Sequence, residues 1–272
     1  MAAPDSVKVK LTIAYDGTAY QGWQVQKIGL GVQQKVEEAC AAVLGVPIRL
    51  HSSSRTDTGV HALGMVAHIE IPRARFKIPP AKLALALNAH LPEDIRILSA
   101  ARCPAGFHAR FCATGKQYRY FLWNHRAMNP LVRFTAWHVA RPLNVPAMRA
   151  AAKFFLGRHD FRSFAANRNY PCENSVRSLT RLDLRRRGSE LMFVIEGDGF
   201  LYKMCRGIVG TLVQVGLGKI PAAEIPKIMA GRDRRIAGMT APAHGLVLWK
   251  VFYGRKEAPA ASTPDDEKTS EG

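Results

Sequence analysis

The residues with the clearest chemical potential form one short segment. Residues 52–62 read SSSRTDTGVHA, in which small and turn-forming side chains surround one carboxylate, Asp57. Arg55 stands just before it, and a nearby positive charge keeps a carboxylate ionised. Gly59 follows it and permits close approach of the backbone to a substrate. Asp57 is therefore a candidate nucleophile that needs no activating base, because an aspartate of unperturbed pKa ~3.9 is already charged at neutral pH.

Two other interpretations of this segment have to be weighed. An aspartate in a Thr-Asp-Thr-Gly sequence is also a common turn former or cap. The triplet at residues 57–59 further matches that of aspartic proteases, whose chemistry requires two carboxylates that share a proton. The chain contains one such triplet, and Ser, Arg and Thr precede it where a protease has an apolar strand. The sequence therefore disfavours a peptidase and leaves the nucleophile and the turn former open.

Three more side chains are candidates for the same site, each with a structural alternative. Tyr118 lies in residues 116–120, KQYRY, where two aromatic side chains face one side of a predicted strand; it could equally be a core aromatic. Arg206 interrupts an apolar helix, and a buried unpaired ion costs several kcal/mol, so it requires a partner. Leu246 follows Gly245 at the start of the last predicted strand, where an ordinary core leucine is also expected.

The elements that must position these residues follow from hydrophobic periodicity. Alternating or β-rich runs predict strands at residues 7–15, 64–71, 95–101, 116–123, 178–185, 191–196 and 246–253. Apolar residues at three- and four-residue spacing predict helices at residues 32–44, 80–88, 145–156, 201–215 and 222–230. The predicted elements do not alternate regularly between strand and helix as in a doubly wound parallel sheet. This favours an α+β fold with a mostly antiparallel sheet.

The chain divides into three parts in this interpretation. Residues 1–107 form an N-terminal α+β half with the Asp57 loop, and residues 108–255 form a C-terminal half that completes the cleft. Residues 256–272 are rich in Ala, Pro, Ser, Thr and acids and predict a disordered tail, because such a segment buries too little apolar area to offset its ordering entropy.

The charge balance indicates a polyanionic partner. Thirty-nine Lys and Arg residues against twenty-one Asp and Glu give a formal net charge of +18, which attracts nucleic acid, although a basic protein without a specific polyanion is the alternative. The candidate RNA contacts are Arg73, Arg75, Lys77, Arg110, Arg126, Arg133, Arg158, Arg162, Arg168, Arg185, Arg186, Arg187 and the basic residues within 232–235.

Cysteine usage and the termini point to the cytoplasm and to a protein without a metal. The five cysteines are Cys40, Cys103, Cys112, Cys172 and Cys205. They form no Cys-x-x-Cys pair and have no histidine at a zinc-ligand spacing, so neither disulfides nor zinc are predicted. No signal peptide, transit peptide or apolar run of membrane-spanning length is recognisable.

Residues 55–62, RTDTGVHA, resemble the catalytic motif of the tRNA pseudouridine synthase A family. The resemblance extends from about residue 8 to residue 253 and departs mainly at Cys205, where the family often has a branched aliphatic residue. Further matching blocks, in family order, are AYDGT at 14–18, GWQ at 22–24, FHARF at 107–111, KQYRY at 116–120, DFRSF at 160–164, MCRGIVG at 204–210 and GL at 245–246.

The resemblance implies two similar α/β halves that form one continuous, mostly antiparallel sheet with helices packed on it and a catalytic cleft at the junction. It implies an isomerase that converts uridine to pseudouridine at positions 38, 39 and 40 of the tRNA anticodon stem-loop. The family acts as a homodimer and needs no metal or organic cofactor. Because a stacked base cannot be detached and turned in place, the uridine must be flipped into a pocket.

The resemblance also implies a role for each candidate residue. Asp57 corresponds to the essential aspartate and would attack the sugar or the base, or assist loss of the base. Tyr118 would lie over the uracil and is a candidate base for a sugar proton, while Leu246 would pack on the flipped base. Arg206 would form an ion pair with Asp57, and Arg55 would fill the space that the nucleotide leaves or clamp its phosphate.

Two alternative functions remain at this stage. A non-catalytic RNA-binding module would share the basic charge but would have no use for a carboxylate among these arginines and a tyrosine. A sister pseudouridine synthase acting on other RNA sites would share the chemistry and differ in substrate. Release of tritium from C5-labelled uridine in tRNA separates the first alternative from the enzyme.

Overall fold

The computed structural model describes residues 5–166 and 174–254. The helices are α1 Val32–Leu44, α2 Pro80–His90, α3 Val145–Ala152, α4 Met204–Gly216 and α5 Ile225–Ala230. The strands are β1 Ser6–Tyr15, β2 His51–Ser52, β3 His61–Pro72, β4 Ile95–Arg102, β5 Ala113–Trp123, β6 Trp137–His138, β7 Gly157–Asp160, β8 Val176–Arg187, β9 Glu190–Gly197 and β10 Leu246–Tyr253. Arg168, Cys172 and the predicted tail at 256–272 lie outside the described residues.

All ten strands belong to one sheet, whose main order is β4-β1-β3-β10-β5-β9-β8-β7. The pairings along this order are antiparallel except the one between β3 and β10. The two short strands lie off this path, β2 beside β3 and β6 parallel to β5. The predicted α+β fold with a mostly antiparallel sheet is confirmed.

The same arrangement of strands occurs twice along the sheet. The first part of the chain runs β1-α1-β3-α2-β4, and the second runs β5-α3-β9-α4-β10 with β7 and β8 added. In each part the last strand, the first strand and the middle strand lie side by side in that order. The two parts meet where β10 pairs with β3, at Val247 opposite His61 and Leu248 opposite Ala62.

Local sequence explains the helix ends where prediction and structure agree. Val32, Val36 and Cys40 are fully buried on one face of α1. Gly45 ends this helix with φ 71°, a left-handed conformation that glycine adopts without steric cost. No helix in the described part of the chain is long and apolar enough to cross a membrane.

Three predicted helices differ from the observed ones. α3 was expected to reach residue 156, but its last residues form the 3-10 turn Lys153–Phe155. The predicted helix at 222–230 begins as the 3-10 turn Ala222–Glu224 and becomes α5 at Ile225. α4 was expected from residue 201 but begins at Met204, because Lys203 has φ 58° and cannot continue a right-handed helix.

Helix α4 passes unusually close to two backbone segments. A Cβ on Gly207 would lie 2.1 Å from the carbonyl oxygen of Phe164, and a Cβ on Gly210 would lie 1.8 Å from that of Met239. Both distances are far shorter than van der Waals contact, so a side chain at either position would force the helix away. Arg206 precedes Gly207 directly, so this close packing fixes the backbone position of Arg206.

We predict that Gly210→Ala destabilises the protein by about 1–3 kcal/mol, because an added methyl group in a closely packed position displaces backbone. The midpoint of urea unfolding measures the effect. Gly199→Ala is the matched control: its added Cβ would meet only the flexible Arg177 side chain, at 3.3 Å. Equal midpoints for the two variants would show that the Met239 segment yields easily.

Candidate active site

The loop that carries Asp57 is held by the segment that follows β1. Trp23 N donates to Thr56 O at 3.1 Å, and the Thr56 hydroxyl is 2.7 Å from the hydroxyl of Tyr15. Gly22 approaches the loop so closely that a Cβ there would lie 2.4 Å from Thr56 O. The blocks at residues 14–18 and 22–24 therefore form one wall that supports the loop.

Asp57 and Arg206 form an ion pair, as the resemblance implied. Arg206 Nη1 lies 3.1 Å from Asp57 Oδ2, and the two side chains are 13% and 19% exposed. Arg206 Nε also donates to Ala241 O at 2.8 Å, which fixes the orientation of the guanidinium group. Partial removal from water strengthens an attraction of this kind, so the pair holds the carboxylate in one place.

Tyr118 is buried beside this pair. Burial raises the pKa of its phenol well above the ordinary value, and the negative charge of Asp57 acts in the same direction. Tyr118 is therefore a neutral phenol at physiological pH in the ligand-free protein. Its ring makes an edge contact with Phe200, with ring centroids 5.0 Å apart.

One cleft of about 920 Å³ brings the predicted site residues together. Arg55, Asp57, Tyr118 and Leu246 all line it, while Arg206 contacts Asp57 from α4. The cleft also contains five further cationic side chains: Arg49, Arg110, Lys116, Arg177 and Lys203. Of these, only Arg110 was predicted from the sequence as an RNA contact. Among the described residues, no group of three or more His, Cys, Asp or Glu side chains is arranged to hold a metal ion.

The other predicted RNA contacts do not line this cleft. These are Arg73, Arg75, Lys77, Arg126, Arg133, Arg158, Arg162, Arg185, Arg186, Arg187, Arg232, Arg234 and Arg235. Some of them are engaged elsewhere: Arg232 Nε lies 3.2 Å from Asp160, and Arg235 Nη2 lies 2.7 Å from Asp233. Lys203 and Arg177 were missed because an isolated cation in a sequence does not reveal which cavity it faces.

Leu246 is placed by its neighbour Gly245. A Cβ on Gly245 would lie 2.6 Å from Cζ of Tyr120, so only glycine allows β10 to start here. The Tyr120 hydroxyl donates to Pro242 O at 2.8 Å and is thereby occupied in supporting this turn. The two tyrosines of KQYRY are thus separated in function: Tyr118 faces the cleft and Tyr120 holds the segment that presents Leu246.

His61 is a connecting residue to which sequence reasoning assigned no role. Its Nδ1 accepts from Gly17 N at 3.0 Å, and its Nε2 lies 3.0 Å from His244 O. The side chain is 5% exposed. His61 therefore ties the end of the Asp57 loop both to the segment after β1 and to the turn before Leu246. Its position within the RTDTGVHA motif was the available signal.

Comparisons with known proteins agree with this geometry. The sequence profile of a family described as tRNA pseudouridine synthase matches residues 11–112 and 151–254. A protein named tRNA pseudouridine synthase A from Acetivibrio thermocellus is 46% identical over 245 residues, which are 90% of this chain and 99% of the relative. Proteins of the same name from Geotalea uraniireducens and Myxococcus xanthus are 43% and 42% identical, over 90% and 94% of this chain and 99% and 95% of their own length.

We expect Lys116 to make tRNA binding dependent on pH. Burial lowers the pKa of its ammonium group to about 8, and the charges of Arg110 and Arg177 add to this shift. A bound phosphate favours the protonated form, so affinity is highest below pH 8 and falls as pH rises through 8. We predict that tRNA affinity decreases about threefold to tenfold between pH 7 and 9, measured by filter binding at constant salt.

Lys116→Met should remove most of this pH dependence, because the variant has no titrating group at that position. Lys219→Met is the control, since Lys219 is exposed and does not line the cleft. The assignment is wrong if Lys116→Met and Lys219→Met show the same pH dependence as the unaltered protein.

Proposed function

The chain belongs to the tRNA pseudouridine synthase family, and we propose that it modifies uridines 38, 39 and 40 of the tRNA anticodon stem-loop with Asp57 as nucleophile. The activity itself, isomerisation of uridine in tRNA to pseudouridine, follows from the family and from relatives that match nearly the whole chain. The observation that carries the role of Asp57 is its ion pair with Arg206 at the wall of a cation-lined cleft.

The reaction rearranges bonds within one nucleotide. The bond between uracil N1 and C1′ of the ribose breaks, the detached base turns, and C5 forms a bond to the same C1′. The hydrogen on C5 leaves as a proton and N1 gains a proton, so no electron donor or acceptor is consumed. Asp57 supplies the carboxylate that attacks either the sugar or the uracil ring, or that assists the departure of the base.

The cleft has groups for holding a base during this turn. Tyr118 and Leu246 line it together, which supports their proposed places on the ring of the flipped uridine. Arg55 lines the cleft beside the carboxylate, where its guanidinium group is suited to a phosphate or to the space that the nucleotide leaves. Flipping costs a few kcal/mol, and such contacts offset that cost.

The distribution of cations supports an RNA stem-loop as the bound form. Arg110, Lys116, Arg177 and Lys203 line the same cleft as Asp57, so phosphates can be contacted close to the reacting base. Contacts of this kind read the shape of an RNA helix and not its base edges, which suits a substrate recognised as a stem-loop. A tRNA substrate also makes the cytoplasm the proposed compartment.

A non-catalytic RNA-binding module is the weaker candidate. Such a module gains from the cations but not from a carboxylate, which repels phosphates. Holding Asp57 against Arg206 with both side chains mostly buried also costs desolvation energy. A buried carboxylate with this cost in an RNA-binding cleft is better explained by a catalytic role than by RNA binding alone.

We propose that residues 1–107 and 108–255 act as two halves with the cleft between them. Arg55 and Asp57 come from the first half, while Tyr118, Arg206 and Leu246 come from the second. The proposed boundary falls just before β5, the first strand of the second set of strands. Neither half on its own has all the groups that the reaction needs.

The proposed homodimer has a candidate interface on the opposite face of the sheet. Phe121 and Trp249 alternate with Tyr118 and Leu248 along their strands and therefore face away from the cleft. They line a mostly apolar groove of about 530 Å³. Leu131 and Phe134, in the loop beside it, are 89% and 51% exposed.

The charges around this groove favour a second copy of the chain as its occupant. Four carboxylates and one guanidinium group line it: Asp16, Glu93, Asp94, Glu190 and Arg96. Arg126 and Arg133 lie on or beside the exposed loop of Leu131, so two copies related by a two-fold axis can place arginines of one against carboxylates of the other. The excess of carboxylates also makes this face unfavourable for RNA.

We predict that replacing both Leu131 and Phe134 by aspartate makes the protein monomeric in sedimentation equilibrium, whereas the unaltered chain is a dimer. Added carboxylates remove apolar contacts and repel the carboxylates that line the groove. Leu85→Asp is the control, because Leu85 is 72% exposed on α2 and does not line the groove. A double variant that remains dimeric places the interface elsewhere.

We predict that Asp57→Asn abolishes pseudouridine formation and leaves tRNA affinity within about threefold, because the amide keeps the shape and loses the nucleophile. The measurements are tritium release from C5-labelled tRNA and filter binding. Asp183→Asn is the control, since its carboxylate pairs with Arg181 outside the cleft. Substantial turnover by Asp57→Asn contradicts the assignment, and mapping of the modified positions tests the choice of uridines.

A further inference from the structure

Ser54 has a hydroxyl group whose partner is missing. Within residues 5–166 and 174–254 it is the one fully buried side-chain oxygen or nitrogen without a hydrogen-bond partner. The residue is 8% exposed. Buried polar groups in folded proteins are nearly always paired, because leaving one unpaired is costly. An exception in the wall of an active-site cleft therefore points to a partner that is engaged during function.

The neighbouring serines do not share this property. Ser52 Oγ donates to Ser54 O at 2.9 Å, and Ser53 Oγ lies 3.6 Å from the sulfur of Met65. All three serines line the cleft. Of their hydroxyl groups, only that of Ser54 is buried without a hydrogen-bond partner. The absence of a partner is specific to this position and not a property of the whole loop.

The phenol of Tyr118 is a functional group on which the Ser54 hydroxyl acts. The Ser54 hydroxyl opposes the rise in the pKa of Tyr118 that burial causes, which is the effect of a hydroxyl that donates toward the phenol oxygen. Both groups are buried in the wall of the same cleft. The two hydroxyls are therefore neighbours that do not reach hydrogen-bond geometry in the ligand-free protein.

We propose that Ser54 is a positioning residue whose hydroxyl donates a hydrogen bond to the Tyr118 hydroxyl when the target uridine occupies the cleft. The inference rests on the proposed function, since it requires a base against Tyr118. The Tyr118 ring is held on one side by the edge contact with Phe200.

The timing of this bond decides its effect on the kinetics. A contact that forms only after the base has entered contributes to the reacting state and not to initial binding, so its loss lowers kcat more than it raises KM. Exclusion of water by the bound nucleotide strengthens the bond. Ser54 thereby fixes the direction of the phenol toward the sugar while making no contact with the substrate itself.

The first experiment compares single variants on tRNA in steady state. Ser54→Ala is expected to lower kcat about threefold to tenfold with KM within about twofold, the range for loss of one neutral hydrogen bond. Ser54→Thr retains a hydroxyl and should recover most of the activity. Ser53→Ala is the matched control and should leave kcat unchanged. Ser54→Ala should unfold thermally no earlier than the unaltered protein, because it removes an unpaired buried group.

The second experiment asks whether Ser54 acts through Tyr118. Tyr118→Phe removes the phenol oxygen, so adding Ser54→Ala to it is expected to lower kcat by less than about 1.5-fold further. Three results overturn the inference: unchanged kcat in Ser54→Ala, effects of the two substitutions that multiply, or a loss of thermal stability in Ser54→Ala that Ser54→Thr does not restore. If the unaltered protein forms no pseudouridine at all, the proposed function fails instead.

Discussion

The ion pair between Asp57 and Arg206 joins positions 149 residues apart in the chain. A carboxylate that is four-fifths buried has to be neutralised by a nearby charge, and here the charge comes from the helix that packs under the cleft. That helix in turn depends on Gly207 and Gly210, which let it lie against the backbone of Phe164 and Met239. The proposed nucleophile is thus positioned by the core of the other half of the molecule.

The order of strands in the sheet also brings the site residues together. β10 is the last strand of the described chain, yet it lies between β3 and β5 near the middle of the sheet. It carries Leu246 to the strand that follows the Asp57 loop and to the strand that carries Tyr118. Because the residues of the proposed site are attached to adjacent strands, His61 and Gly245 need to make only short local connections to complete it.

The two faces of the sheet have opposite electrostatic character. The cleft collects cations, and burial within it lowers the pKa of Lys116 to about 8, with a further contribution from the charges of Arg110 and Arg177. The other face has an apolar groove lined by more carboxylates than cations, the surface that we propose for a second copy of the chain. A net charge of +18 describes neither face, since only the folded protein separates the charges.

The sequence by itself determined the elements and the chemistry: the helix α1, the strand β10, the α+β class and the motif around Asp57 follow from local periodicity and residue type. It did not determine that α4 begins at Met204, where the preceding residue, Lys203, has a left-handed backbone conformation. Nor could it indicate the unpaired hydroxyl of Ser54, the lowered pKa of Lys116 or the connections of His61. Each of these depends on residues far apart in the chain that only the order of strands in the sheet brings together. The hydrophobic periodicity of a segment reflects its own residues and does not indicate which distant residues will contact it.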